Sequence, residues 1–153
     1  MIRWADPDED ATVLAQLMFD AVREGDSPYS TAQRQAWMPH VPDSIVFADR
    51  LRTQDVAVAE RHSRPVGFAS LTRSGYIDLF FILAAFRGHG VFRALYRMLE
   101  DRAVDRGMRK ITTHASLMAQ PNFQRMGFLI IQHEVVDREG QMLKRAEMEK
   151  RLK

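Results

Sequence analysis

Two short apolar runs carry side chains that can move a proton or attack a carbonyl: Asp78 in YIDLFFIL, and His114 with Ser116 in ITTHAS. Strand alternation sets Tyr76, Asp78 and Phe80 on one side of the first run, and His114 and Ser116 on one side of the second. An isolated acid in an apolar strand is either a general base or a structural carboxylate that caps backbone or pairs with an arginine. His114 likewise reads as a base or as a hydrogen-bonded histidine at a sheet edge. With Ser116 these residues spell a Ser-His-Asp set, but no G-x-S-x-G elbow activates the serine, so a serine nucleophile is rejected. The chain has no cysteine, and its five histidines lack paired metal-ligand spacing. Disulfides, a cysteine nucleophile and a metal site are therefore not expected.

The other chemically suggestive stretch is RGHGVF, residues 87–92, where Gly88 and Gly90 stand between an apolar run and a helical pattern. Glycine loses the most backbone entropy on folding, so a pair needs a reason: a tight turn, or a loop that lets backbone approach a phosphate at a helix start. The P-loop needs Gly-Lys followed by Ser or Thr, which neither Gly88-His89 nor Gly90-Val91 supplies. The dinucleotide fingerprint fails as well, for want of a third glycine at the required spacing. As a plain phosphate cradle the loop is well equipped. The N–H groups of Gly88, His89, Gly90, Val91, Phe92 and Arg93 stand at the helix start, and Arg87, His89 and Arg93 add positive charge.

These residues need a frame to hold them. Residues 2–4 read as a short strand, and Asp6, Pro7 and Glu9 open a helix with apolar residues at helical period up to Gly25. Ser30 with Gln33 opens a second helix through Trp37, and residues 44–51 suit a third. The middle changes period. Strands are expected at 56–60, 66–71 and 76–83, joined by polar turns short enough to make antiparallel neighbours. After RGHGVF comes a helix ending near Gly107, then a strand at 111–115, a helix at 119–126 and a strand at 128–136. The tail is ambiguous by period and, placed after a turn, can pair as a last strand. Together these make a mixed α/β (α+β) domain spanning 1–153.

Composition bounds the setting. With 153 residues, 46% hydrophobic and 27% charged, the chain suits one soluble domain with a real core. Its N-terminus is acidic and lacks an apolar core, and its longest apolar run is too short to span a bilayer, so no signal peptide or membrane partner is expected. A net charge of only +2, scattered, argues against a nucleic-acid partner. A cytoplasmic location is the default expectation.

Two motifs in register resemble a known family. IDLFFILAAFRGHGVFRALYRMLEDRA is similar to the central motif of the GNAT N-acetyltransferase superfamily: a strand, then Arg/Gln-x-x-Gly-x-Gly/Ala, then a helix. ASLMAQPNFQRMGF resembles the family's next segment, a short helix ending in an aromatic, a polar pair, an apolar residue and Gly-Phe. The order of elements around both fits as well, and Tyr29 and Trp37 upstream resemble a small bacterial acetyltransferase subgroup.

The resemblance implies a central, mostly antiparallel, splayed sheet of about seven strands with about four helices. It implies acetyl-CoA as co-substrate, held where the fourth strand splays from the fifth, and an amine as acceptor, with a homodimer left open. Phe80, Phe81 and Ile82 match the positions for the pantetheine arm and the acetyl carbonyl, with a strand N–H at Phe81 or Ile82 for the oxyanion. Tyr29, Trp37 and Tyr76 are candidate walls of the acceptor pocket, set against plain packing on the sheet. Acetyl transfer also needs a neutral amine. A lysine-like amine, pKa about 10.4, costs roughly 4–5 kcal/mol to neutralise at pH 7, an α-amino group only about 1. Asp78, His114 and Ser116 are the candidates for moving protons.

Four residues depart from the family's pattern. Phe92 replaces the usual small residue, so its side chain must point away or the loop must shift. Ala84-Ala85 replaces the usual Pro and acid. Phe123 stands where a tyrosine commonly protonates the departing sulfur. Two readings follow: an N-acetyltransferase that does without that proton, or a CoA-binding sensor or partner subunit that keeps the fold without turnover.

Overall fold

Caps written in the sequence start the helices. The computed structural model describes residues 1–153. After strand β1 (Ile2–Trp4), Asp6 accepts hydrogen bonds from the Asp8 and Glu9 amides and Pro7 opens helix α1 (Pro7–Arg23). Ser30 and Gln33 form a reciprocal capping box on α2 (Thr31–Trp37), and Asp43 caps α3 (Ser44–Arg52). The meander follows as β2 (Gln54–Arg61), β3 (Arg64–Thr72) and β4 (Tyr76–Ile82). A 3₁₀ turn over Ala84–Phe86 leads to α4 (Val91–Asp105), β5 (Lys110–Ser116) and α5 (Gln120–Arg125). The chain closes with β6 (Leu129–Arg138) and β7 (Gln141–Arg151).

All seven strands form one sheet in the order β1-β2-β3-β4-β5-β7-β6. The ambiguous tail is the strand β7, inserted between β5 and β6. Every pairing is antiparallel except β4 with β5. This is the splayed sheet expected, with five α-helices rather than about four.

Two cores sandwich the sheet. On one face α1 and α3 bury Leu14, Leu17, Met18, Phe47 and Leu51 against Phe68 and Leu79. On the other, α4 and α5 bury Leu95, Tyr96, Leu99 and Phe123 against Ile111, Phe128 and Met148. Gly67 lets α4 approach β3: a Cβ there would sit 3.2 Å from Ile82, Phe81 and Val91 atoms. No helix is long and apolar enough to cross a membrane.

One polar contact ties the N-terminal strand to the first helix. Asp10, 9% exposed, receives Arg3 Nη1 and Nη2 at 2.8 Å each and the Asp6 amide at 2.8 Å, while Arg3 Nε reaches Glu60 at 3.1 Å. The Arg3 guanidinium holds the Asp10 carboxyl below the ordinary aspartate range against the opposing effect of burial. A lowered folded pKa stabilises above the unfolded value near ~4, and that contribution is lost as pH falls through the folded one. Asp10→Asn is expected to lose about 1.5–3 kcal/mol at neutral pH. Denaturant melts should show the deficit shrinking as the pH drops below ~4; a deficit that stays constant with pH would contradict the pairing.

Candidate active site

A bulge opens the sheet. Leu71 pairs with Ile77 and Ser70 with Leu79, so Asp78 is the extra residue of β4, and the Leu79 amide donates to Ser70 Oγ at 3.1 Å. Bulges increase local twist. Past it, β4 and β5 separate: their only register partners are Tyr76 with Thr112 and Ile77 with Thr113. Which backbone groups face the gap follows from the ladder. Leu83 donates to Val66 at 2.9 Å, so Leu83 and, two residues earlier, Phe81 exchange hydrogen bonds with β3. The N–H and C=O groups of Phe80 and Ile82 therefore point across the gap. Of the two amides expected to serve an oxyanion, Ile82 is placed for it. Phe81 is not, because its N–H is turned to β3.

The gap is lined end to end by three connected cavities. One of about 330 Å³ lies at the glycine loop, one of about 220 Å³ in the middle, and one of about 470 Å³ over the sheet face of β5. The first two share Ile82, Arg87, Phe92 and Asn122; the second and third share Tyr29, Trp37, Phe80, Phe81, Ser116 and Ala119.

At the loop, Gly88 and Gly90 take φ of 78° and 80°, and a Cβ on either would meet nothing within 4 Å. Gly90 caps α4 without a side-chain bond, and Ala94, donating to Gly90 O at 3.1 Å, makes the first helical turn. The amides of Val91, Phe92 and Arg93 thus stand at an uncapped helix start with open space before them, which suits an anion. The charges around it differ from expectation. Arg87 donates to Ala21 O at 2.7 Å and Asp26 O at 3.3 Å, so it ties the loop to the end of α1, and burial pushes its guanidinium below the ordinary value. His89 is exposed and lines none of the three cavities. Arg93 does line the loop cavity, joined by Arg125 of α5, which local motif reading had no means to place there.

In the middle, Phe92 turns inward. Its ring stacks on Phe80 at 4.1 Å and 15°, and both meet Phe123 edge-on at 5.0 and 5.6 Å. Phe123 is 1% exposed and also contacts Phe128 at 5.0 Å, so it is a core aromatic with an edge on the largest cavity. Of the two ways of accommodating Phe92 the first is taken: its side chain points away from the loop, where Phe80 and Phe123 receive its bulk.

Over the sheet face the polar residues sort into separate pairs. Asp78 accepts from Arg50 Nε and Nη2 at 2.9 Å each and from Gln54 Nε2 at 2.7 Å. The bulge puts it out of step with Phe80, which packs toward α4 while Asp78 reaches α3; simple alternation fails there. His114 Nδ1 lies 2.7 Å from Glu134 Oε1, and its ring lies 5.7 Å from that of Tyr76. Ser116 Oγ accepts from the Ala119 amide at 3.3 Å. With aspartate and histidine bonded to different partners, no Ser-His-Asp relay forms. Tyr29 donates to Lys144 O and accepts from the Leu117 amide at 3.0 Å, and its ring packs edge-on to Trp37 at 5.7 Å. Tyr29, Trp37 and Tyr76 all line the largest cavity, and burial raises the pKa of both tyrosines. Glu134 and Arg145 escaped the sequence reading, since only strand register sets β7 beside β5 and β6 beyond it.

The family model for the acetyltransferase (GNAT) domain matches residues 26–152. The chain belongs to the GNAT acetyltransferase family. This GNAT protein is 31% identical over 112 residues to the uncharacterized N-acetyltransferase YafP of Escherichia coli (strain K12), spanning 73% of this chain and 69% of that one. Its fold matches the GCN5-related N-acetyltransferase (Aminotransferase, Class-II) of Rhodopseudomonas palustris with a TM-score of 0.90 and 32% identity, over 99% and 95% of the two chains. A putative acetyltransferase, yncA, of Salmonella typhimurium, solved with its cofactor acetyl-CoA, shares the fold at a TM-score of 0.75 and 18% identity, over 100% and 94%. The GNAT protein is an N-acetyltransferase.

The loop can be tested apart from turnover. Gly90→Val puts branched carbons into the open space before α4 and is expected to weaken acetyl-CoA binding more than about tenfold by calorimetry. Gly107→Val carries the same left-handed backbone strain at the other end of α4, also with nothing within 4 Å, and should leave affinity unchanged. Equal affinity in both variants would remove the loop from the binding site.

Proposed function

We propose that the acetyl group passes directly, in a ternary complex, from acetyl-CoA to the primary amine of a small molecule or peptide. The pyrophosphate is held at the amides of Gly88 to Arg93, and the pantetheine arm lies along Phe80, Phe81 and Ile82. The thioester carbonyl faces the Ile82 N–H. Such a donor, aimed at the developing oxyanion, is typically worth about 3–4 kcal/mol.

The observation that carries the chemistry is the 2.7 Å contact between His114 Nδ1 and Glu134. A carboxylate that accepts from Nδ1–H fixes the tautomer and leaves Nε2 with a lone pair, the arrangement of a general base. His114 therefore takes the proton as the amine nitrogen bonds to the acetyl carbon. The C–S bond then breaks, and the sulfur leaves with its electron pair. Asp78 has three donors on its two oxygens and serves to anchor α3 to β4. With Phe123 in place of a proton donor, the sulfur leaves as thiolate; a thiol pKa of about 8.5 makes that tolerable, and water or Ser116 protonates it afterwards. One domain spanning 1–153, in a cytoplasmic setting, completes the proposal.

His114→Gln is expected to lower kcat/KM by about 10²-fold or more, with the deficit shrinking as pH rises toward the amine's own pKa. Glu134→Gln should reproduce part of that loss and change the shape of the pH–rate profile, and Glu134→Asp should restore much of it. A profile unchanged in the His114 variant would end the base assignment.

Phe123→Tyr returns a hydroxyl to the edge of the cavity. It should raise kcat by up to ~10²-fold at nearly constant acetyl-CoA affinity. If the parent binds acetyl-CoA tightly yet neither protein releases thiol with any amine, the transfer reading gives way to a CoA-binding sensor.

A further inference from the structure

The cavity over the sheet face of β5 holds more positive charge than acetyl transfer requires. Three arginines line it, Arg50, Arg138 and Arg145, against a single carboxylate, Asp78. Arg50 is matched by its two-bond pair with Asp78. Arg138 takes part in none of the ion pairs around the site. Arg145 reaches Glu134 at 3.5 Å, longer than the about 2.7–2.9 Å of a well-formed charged hydrogen bond. Its Nε is buried with no partner at all. Buried donors are almost always satisfied, so an orphaned guanidinium N–H beside an open cavity asks for an acceptor from outside the chain.

Strand register orders these charges. On β7, Glu147 stands opposite His114, and Arg145 stands opposite Ser116 on one side and Glu134 on the other. Along one sheet face an acid and an imidazole are therefore followed by a guanidinium, with Arg138 further toward the β6–β7 turn. The imidazole, through Nδ1, and Arg145 flank the same carboxylate, Glu134, and both line the cavity. A short amino carboxylate presents one charged end to each.

We infer that the acceptor is a free amino acid, its amine at His114 and its carboxylate on Arg145 and Arg138. This rests on the acetyl-transfer reading and narrows it, because a peptide presents a neutral amide where the free acid presents its charge. Arginine suits the role by its planar pair of donors.

The test is thiol release from acetyl-CoA with free amino acids, each beside its amide, its decarboxylated amine and the matched aminoalkyl phosphonate. The free acid is expected to exceed its amide by about ten- to a hundredfold in kcat/KM, mostly through KM. Arg145→Gln should erase that preference, and so in part should Arg138→Gln, whose exposed position makes misfolding no explanation. Amides or simple amines used as well as the acids would overturn the inference while leaving acetyl transfer intact, and so would a preference for the phosphonate. Absence of thiol release with every amine would sink the transfer reading instead. Calorimetry on the CoA-saturated enzyme then decides the inference by itself: acid bound over amide supports it, and equal or no binding overturns it.

Discussion

The parting of β4 from β5 is the constraint from which the site descends. A sheet gains from continuous pairing, and an unpaired backbone group away from water is costly. Here β4 pairs with β5 at two positions and then leaves. The extra residue at Asp78 supplies the twist, and the Arg50–Asp78 pair pins the bulged strand to α3. The Phe80 and Ile82 amides left over are the groups that a carbonyl-bearing substrate can engage. Closing the sheet would satisfy them and abolish the site.

Two kinds of positive charge bracket that gap, and they differ in origin. At one end it is backbone: the uncapped start of α4 turns amide N–H groups toward open space, and Arg93 and Arg125 flank it. At the other it is side chain: Arg138 and Arg145 line the cavity, whose one carboxylate, Asp78, is already paired with Arg50. Between them the lining is mainly aromatic, from Phe80 and Phe92 to Phe81 and Trp37, with Arg87 turned to the end of α1. A molecule with one anionic end and an uncharged arm fits the first half of such a cleft. The second half suits a small partner with a charge of its own.

What could be read from sequence was local. The Asp6 cap, the Ser30–Gln33 box and the Gly88–Gly90 pair each act within a few residues of themselves, and all three are where reading placed them. Six strands were legible from their period, and the tail, ambiguous by period, from its place after a turn. The failures share one cause, dependence on register. Phe81 and Ile82 differ in which strand their amides face, which only pairing with β3 decides. Asp78 leaves the alternation because of a bulge that no residue type announces. Glu134 and Arg145 reach His114 and Ser116 only because β7 inserts between β5 and β6, against chain order. Arg87 belongs to α1 for a similar reason: Gly25 lets the helix end come close enough that a Cβ there would meet Ala84 at 2.5 Å.

Phe92 shows how a departure from a pattern can be absorbed. A bulky residue in the first turn of α4 would crowd a phosphate if it faced the loop. It instead stacks on Phe80 and meets Phe123, so one aromatic cluster joins the loop, the splayed strand and α5. Edge-to-face and stacked contacts of this kind add about 0.5–1.5 kcal/mol each beyond burial. The same packing explains why position 123 holds a phenylalanine. A hydroxyl on that ring would need a partner inside a cluster made of four phenylalanines, counting Phe128, unless the substrate's sulfur supplied one. Phe92 and Phe123 thus belong to one packing unit, which rigidifies the cleft where the splayed strand meets α5.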